Sequence, residues 1–297
     1  MTTTRQGPHP APDTLDDARH DVLDGSRHDV LDGSPDGVRA LSFTGDRVVA
    51  TVVRDTPEFR VEGRAIVVNC GAHDVWVAEP PRRPIPPLSS TILADTTVEG
   101  AGLLVVLRTD DRPRDDSGGP EDGDRGDSGS GSAGAGAITG EPGWRLLGDL
   151  IGEGTGDTGG LPFDRSIPLW RSPVDSIGRV AFDPARLLRQ TPSAGPPQPF
   201  EVRVNLWFAP AGTDCFIHDR HDFIEVHTQV TGLGRMQKFR SQDHATLYQD
   251  VLMSPGYTTP DPFCAVGSDG TCVYPWHQYH ADTDCTWLAI EYHRVPR

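Results

Sequence analysis

The chain has 297 residues, of which 36% are hydrophobic, and its 43 Asp and Glu residues against 27 Lys and Arg residues give a formal net charge of −16. This excess of acid argues against a nucleic-acid partner, since a phosphate backbone is bound by a basic surface. No apolar segment approaches the ~20 residues of a membrane helix, and the N-terminus lacks the basic start and apolar stretch of a secretory signal. We therefore expect a cytoplasmic protein that binds neither a membrane nor a nucleic acid.

The first half of the chain divides into three segments of different composition. Residues 1–36 are polar, rich in Asp and nearly free of aromatic residues, which predicts a disordered N-terminal tail. Residues 37–109 contain many short apolar or alternating runs separated by turn-forming residues, which predicts a β lobe. Residues 110–140 begin with 28 positions that hold only Asp, Glu, Arg, Gly, Ser, Pro and Ala, which predicts a disordered, acidic Gly/Ser-rich linker.

The remaining segment, residues 141–297, predicts a second and larger β domain. Residues 200–208 alternate between apolar and polar positions, so that Val202, Val204, Leu206 and Phe208 share one face of a strand. Further strands are predicted at 222–230, 234–239 and 246–253, followed by a hairpin of residues 274–280 and 286–292. Almost no segment of ten or more residues shows a period of 3.6, so the fold class predicted for the whole chain is all-β.

Histidines are concentrated at the C-terminal end of the chain, where seven of the eleven lie at or after His218. One group runs from His218 through His221 and Glu225 to His227, and a second contains His277 and His280. Imidazole and carboxylate are the usual ligands of Fe, Mn, Ni, Cu and Zn. Side chains two apart on a strand share a face, which predicts that Glu225 and His227 point the same way. On the later hairpin, His280 takes the face opposite to that of His277.

The first histidine group resembles the first motif of the cupins. That motif has H-x-H, three or four residues, a Glu, six residues and a Gly. Here six residues separate Glu225 from Gly232, three separate His221 from Glu225, and His218 stands where a longer spacing places the first His. The sequence departs from the motif in having H-x-x-H. Either a bulge turns both histidines inward, or one of them is not a ligand.

The second cupin motif is less complete in this chain. Pro255 and Gly256 resemble its Pro-x-Gly portion, but the expected His is delayed by an apparent inserted loop. His280 fits by its count from Pro275, whereas His277 fits the hairpin geometry better because it lies in the middle of the strand. We favour His277 and keep His280 as the alternative.

The resemblance, which covers about residues 200–292, implies a cupin-type jelly-roll barrel, also called a double-stranded β-helix, within residues 141–297. Residues 37–109 would form a second β lobe without a metal, in the manner of a bicupin whose first half has degenerated. One divalent metal is implied, with Fe(II) favoured and Mn, Ni, Cu or Zn as alternatives. His221, Glu225 and His277 are the expected ligands, with His218, His227 or His280 completing the set. Glu225, His227 and Tyr279 are candidate catalytic residues, and the candidate substrate contacts are Trp276, Trp287, Gln229 and Arg220.

The function that this resemblance implies most strongly is a metal-dependent enzyme, a non-haem iron oxygenase or oxidoreductase acting on a small organic molecule. One alternative is a metal-dependent isomerase of a sugar or keto acid, in which the ion acts as a Lewis acid. Another is a cupin that binds a small ligand without catalysis. The partner expected in each case is a small molecule, and the resemblance also implies a homodimer.

Overall fold

The computed structural model describes residues 37–109, 138–152, 163–188, 190, 196–259, 264–267 and 271–296. The predicted tail at 1–36, and all but the last three residues of the predicted linker at 110–140, lie outside the described residues. None of the helices in these ranges has the length and apolar character needed to cross a lipid bilayer.

The N-terminal lobe is one antiparallel sheet of five strands in the order β1-β2-β5-β3-β4. Two strands of more than twenty residues dominate it, where the sequence had predicted a series of short ones. Residues 66–69 pair with residues 89–92 on one side and with 104–107 on the other, so the sheet curls back on itself. The strands are β1 (Gly37–Ala40), β2 (Val48–Asn69), β3 (Val75–Val77), β4 (Arg83–Ile85) and β5 (Ser89–Thr109).

The C-terminal domain contains eleven described strands and only short helices. The helical segments are Leu147–Gly152, Pro184–Leu187 and the 3₁₀ turn His244–Thr246. The strands are β6 (Arg145–Leu146), β7 (Trp170–Arg171), β8 (Asp175–Phe182), β9 (Gln198–Ala209), β10 (Ile224–Thr231), β11 (Gly234–Phe239), β12 (Leu247–Met253), β13 (Ala265–Val266), β14 (Cys272–Val273), β15 (Trp276–Ala281) and β16 (Cys285–Arg294).

Two sheets of this domain form the barrel. One has the order β10-β16-β9-β7-β6, with β8 also paired to β9, and the other has the order β12-β11-β15. Isolated bridges join residues 214 and 218 to β15, and residue 258 to β10. Eight segments build these two sheets, namely β9, residues 214–218, β10, β11, β12, residue 258, β15 and β16. When they are numbered in that order, the sheets read 1-8-3-6 and 2-7-4-5. This is the strand order of a jelly roll, and it confirms the predicted all-β, double-stranded β-helix barrel.

The larger sheet of the barrel is covered on both faces. Val202, Val204 and Leu206 of β9 are fully buried in a core that also contains Val48 and Ala50 of the N-terminal lobe. The opposite face of the same sheet looks into the barrel. The N-terminal lobe therefore acts as a packing layer that hides the apolar face, and it leaves the more polar face to form a cavity.

Polar contacts also join the two units. The carboxylate of Asp175 accepts hydrogen bonds of 2.7 Å from both the backbone and the side chain of Ser42. The hydroxyl of Tyr292 donates to the backbone carbonyl of Cys70 at 2.9 Å, at a position where both residues are buried. Together with the shared core, these contacts fix the larger sheet against the N-terminal lobe.

Candidate metal centre

Three histidines meet inside the barrel, and their candidate ligand atoms all lie within 4.8 Å of one another. His218 precedes β10, and its backbone exchanges hydrogen bonds of 3.0 and 2.8 Å with that of His277 on β15. This bridge brings the two imidazoles together although 58 residues separate them along the chain. His221 lies three positions after His218 in an irregular segment, and the Nε2 atoms of these two side chains are 2.8 Å apart.

The outer ring nitrogens of two of these histidines are held by the backbone. Nδ1 of His218 lies 2.9 Å from the carbonyl oxygen of Phe216, and Nδ1 of His277 lies 2.9 Å from that of Pro275. A carbonyl can only accept, so Nδ1 carries the proton and Nε2 is left as the basic nitrogen. Histidines that bind metals are oriented in this way.

The spacing of the nitrogens fits a metal ion. Two nitrogens bound to one ion at 2.0–2.1 Å and at right angles lie about 2.9 Å apart. The 2.8 Å between His218 and His221 is close to that separation. Burial lowers the pKa of both His221 and His277 well below the ordinary value, with further lowering from the neighbouring imidazoles. These side chains are therefore neutral at neutral pH, which is the form that binds metals.

Glu225 and His227 stand beside the cluster on β10. The Oε2 atom of Glu225 is 3.6 Å from Nε2 of His221, and its Oε1 atom is 3.7 Å from Nε2 of His227. Burial, followed by the nearby charge of Glu291, raises the pKa of the Glu225 carboxyl well above its usual range. Burial also lowers the pKa of His227 to about 3. The hydroxyl of Tyr274 fixes the start of this strand, since it accepts from the backbone of Glu225 at 2.9 Å and donates to that of Phe223 at 2.7 Å.

A cavity of about 420 Å³ opens above these residues. His218, His221, Glu225 and His227 all line it. Its walls are largely apolar, and the aromatic side chains among them are Phe163, Trp207, Phe216, Phe223, Tyr279 and Trp287. A volume of this size, with apolar walls and a few convergent polar groups, is typical of sites for small organic molecules.

The barrel is a double-stranded β-helix, or jelly roll, as its strand order shows. It brings together His218, His221 and His277, with Glu225 beside them. The N-terminal lobe contributes none of the three clustered histidines.

Comparison with known proteins gives structural likenesses but no sequence relative. No protein-family model matches the chain, and no match is found among the curated proteins. Among solved structures, a cupin 2 conserved barrel domain protein from Leptotrichia buccalis is 8% identical over 88% of this chain and 92% of that protein, with a TM-score of 0.23. Oxalate decarboxylase from Bacillus subtilis is 11% identical over 89% of this chain and 75% of that protein, with a TM-score of 0.25.

A third likeness covers a smaller part of the chain. The ribosomal oxygenase YcfD from Escherichia coli is 18% identical over 32% of this chain but only 24% of its own, with a TM-score of 0.23. This chain therefore matches about a quarter of that enzyme. With TM-scores this low, none of the three likenesses bears on the chemistry, and the jelly-roll fold rests on the strand order.

Several residues predicted from the sequence lie apart from the cluster. His280 is about a quarter exposed on the other face of β15, where its Nδ1 lies 2.8 Å from a carboxylate oxygen of Asp214. The side chain of Arg220 is mostly exposed and lies 3.8 Å from Asp219. Among the described residues that line the cavity, Trp287 is present, whereas Trp276, Gln229 and Arg220 are not.

The cavity also contains charged residues that the sequence analysis did not single out. Arg171 of β7, Arg203 of β9 and Glu291 of β16 all line it. The alternation of β9 held the signal, because Arg203 and Trp207 occupy the positions between its apolar residues. The alternation alone does not indicate which face of β9 points into the barrel.

Proposed function

We propose that the barrel is a metal-dependent enzyme site, most consistent with a non-haem iron oxygenase or oxidoreductase acting on a small organic molecule. The observation that carries this proposal is the convergence of His218, His221 and His277, the first two of which line a cavity of about 420 Å³. Three imidazoles with a carboxyl group beside them suit Fe(II), Mn, Ni, Cu and Zn. We favour Fe(II) because a His and carboxylate set at an open cavity suits oxygen chemistry.

In this proposal the three histidines hold the ion, and Glu225 joins them or remains beside His221, where its Oε2 atom is 3.6 Å from Nε2. When bound, the ion supplies Lewis-acid or one-electron redox chemistry at the base of the cavity. The carbonyls of Phe216 and Pro275 keep the imidazoles turned inward. The aromatic walls exclude water from the substrate, and Tyr279, which packs with a ring-centre distance of 4.2 Å on His227, lies on the same side.

A second candidate is a metal-dependent isomerase of a sugar or keto acid, and the neighbourhood of Glu225 and His227 favours it. Their facing atoms are 3.7 Å apart. Burial raises the pKa of the Glu225 carboxyl and lowers that of His227, which favours the uncharged form of each. A carboxyl and an imidazole that differ in pKa, next to the bound substrate, are suited to moving a proton between two carbon atoms.

One experiment tests the metal and separates the two reactions. Protein purified without a histidine tag is stripped, reconstituted with Fe(II), Mn(II), Ni(II), Cu(II) or Zn(II), and assayed for bound metal and for oxygen consumption with a panel of small organic acids and sugars. We expect about one equivalent of metal and oxygen consumption that depends on Fe(II). Metal near zero with every ion contradicts the metalloenzyme. Turnover without oxygen consumption favours the isomerase, and ligand binding without any turnover favours the non-catalytic cupin.

A further inference from the structure

The cavity contains a second group of polar residues, on the side away from the histidines. Arg171 is placed there by β7, and its guanidinium lies 5.8 Å from the centre of the Trp207 ring. Its Nε atom is shut off from solvent, and no group in the described part of the chain accepts a hydrogen bond from it. A buried donor without an acceptor is unfavourable, so this guanidinium is expected to gain an acceptor when a ligand fills the cavity.

The strand pairing connects this arginine to the histidine cluster. Arg171 pairs with Trp207 across β7 and β9, and Trp207 pairs with Trp287 across β9 and β16. Trp287 in turn pairs with Gln229 across β16 and β10, two residues from His227 on the strand that carries Glu225. Because neighbouring strands are 4.7–4.9 Å apart, the row from β10 to β9 spans about 10 Å. A small molecule held at Arg171 can therefore extend along this row toward the histidines.

The other charged groups on this face already have partners. The guanidinium of Arg203 donates to the Glu201 carboxylate at 2.6 and 3.1 Å. The Glu291 carboxylate accepts from Asn205 at 3.0 Å and lies 2.8 Å from Nε2 of His293. Burial lowers the pKa of Arg171 and the nearby charge of Glu291 raises it, but no hydrogen bond joins these two side chains among the described contacts. It is therefore the cation best placed to bind a ligand.

The pairing of the charged lining residues favours a carboxylate as that ligand. Arg203 is already paired with Glu201, whereas Arg171 lines the cavity and has no hydrogen-bonded carboxylate among the described residues. A carboxylate group of a ligand would supply that acceptor. A planar guanidinium also matches a carboxylate in shape.

We propose that Arg171 binds the carboxylate of a small substrate whose apolar body lies against the aromatic wall formed by Phe163, Trp207 and Phe216. This inference rests on the proposed function, because it names the substrate class of the same site. It assigns Arg171 to substrate recognition, while Arg203 stays paired with Glu201.

The test compares an acid with its neutral isostere, using 3-phenylpropanoate and 3-phenylpropanamide as probes. Each is titrated by calorimetry into the full chain, both free of metal and loaded with Mn(II), and bound metal is measured on the same samples. We expect the acid to bind at least tenfold more tightly than the amide. Arg171→Gln should remove this preference, Arg171→Lys should keep part of it, and the exposed Arg60→Gln should leave it unchanged.

Several outcomes would overturn the assignment. These are equal binding of acid and amide, binding of neither, a preference that survives Arg171→Gln, and a preference that depends on Arg203→Gln instead. Should Arg171→Gln fail to fold, the conservative Arg171→Lys still decides, since an unchanged preference in it would contradict recognition by the planar guanidinium. A preference for the acid in protein that binds no metal would contradict the proposed function alone. Metal binding without the preference would contradict this inference alone.

Discussion

Replacing His277 or His280 by Ala tests the metal centre with two histidines of one strand. His277 is 1% exposed and packs against His218, His221 and Tyr274, with ring-centre distances of 4.4, 5.4 and 5.4 Å. Removing a buried side chain of this size costs about 2–5 kcal/mol, and the Pro275 carbonyl loses its donor. Because an imidazole is itself costly to bury, we expect a net loss of about 2–4 kcal/mol for His277→Ala in metal-free protein.

The same substitution at His280 should have little effect. His280 is partly exposed and is paired with the half-exposed Asp214, and such surface pairs contribute about 0–1 kcal/mol. Loss of one of the three clustered imidazoles should weaken metal binding at least 100-fold, which is about 2.7 kcal/mol. We expect His280→Ala to bind metal within a factor of three of the parent protein.

Urea denaturation of the stripped proteins measures the stability, and calorimetric titration with Mn(II) and Zn(II) measures the metal affinity. The variant His277→Gln serves as a control for the cavity, since it restores volume without an imidazole and should recover part of the stability but none of the affinity. Full metal affinity in His277→Ala, or its loss in His280→Ala, would refute the reasoning, because the cluster would then not be the site.

Three further predictions rest on separate features. In metal-free protein at pH 7, Glu225→Gln should change the free energy of unfolding by less than about 1 kcal/mol, because burial raises the pKa of this carboxyl and so favours its uncharged form. Metal affinity measured by titration should fall at least tenfold, and unchanged affinity would contradict its role beside His221. Burial raises the pKa of the Cys70 thiol from 9.0 to about 12, so its contribution to stability is present below pH 9 and is lost as the pH rises toward 12. Urea denaturation should show the stability difference between parent and Cys70→Ala shrinking by about 2 kcal/mol between pH 8 and pH 10.5, and a constant difference would contradict this. Gly232 and Gly63 both have positive φ, but a Cβ at Gly232 would clash with the Asp284 carbonyl, whereas one at Gly63 would meet nothing within 4 Å. Urea denaturation should therefore show Gly232→Ala at least about 1 kcal/mol more destabilised than Gly63→Ala. Equal losses of stability would count against the tight turn at Gly232.

Local pattern predicted the secondary structure and the region of the site. The absence of a 3.6 period indicated an all-β chain, and the strands around the histidines are close to those observed. Period-two alternation also placed His277 and His280 on opposite faces of β15, because consecutive side chains of a strand point in opposite directions. The same alternation cannot measure distance between strands, so the sequence left open whether His218 approaches the cluster.

The sequence by itself determined the alternation of the strands, the concentration of imidazoles near the C-terminus and the turns that separate the strands. These properties depend on residues close together in the chain. Only the tertiary structure decided that His218 bridges to β15 and that the N-terminal lobe covers the apolar face of β9. As a result, Arg203 and Trp207 point into the cavity. Which face of a sheet becomes the interior depends on what packs against the other face. Here the packing partner is the N-terminal lobe, which lies about 150 residues away from β9 in the sequence.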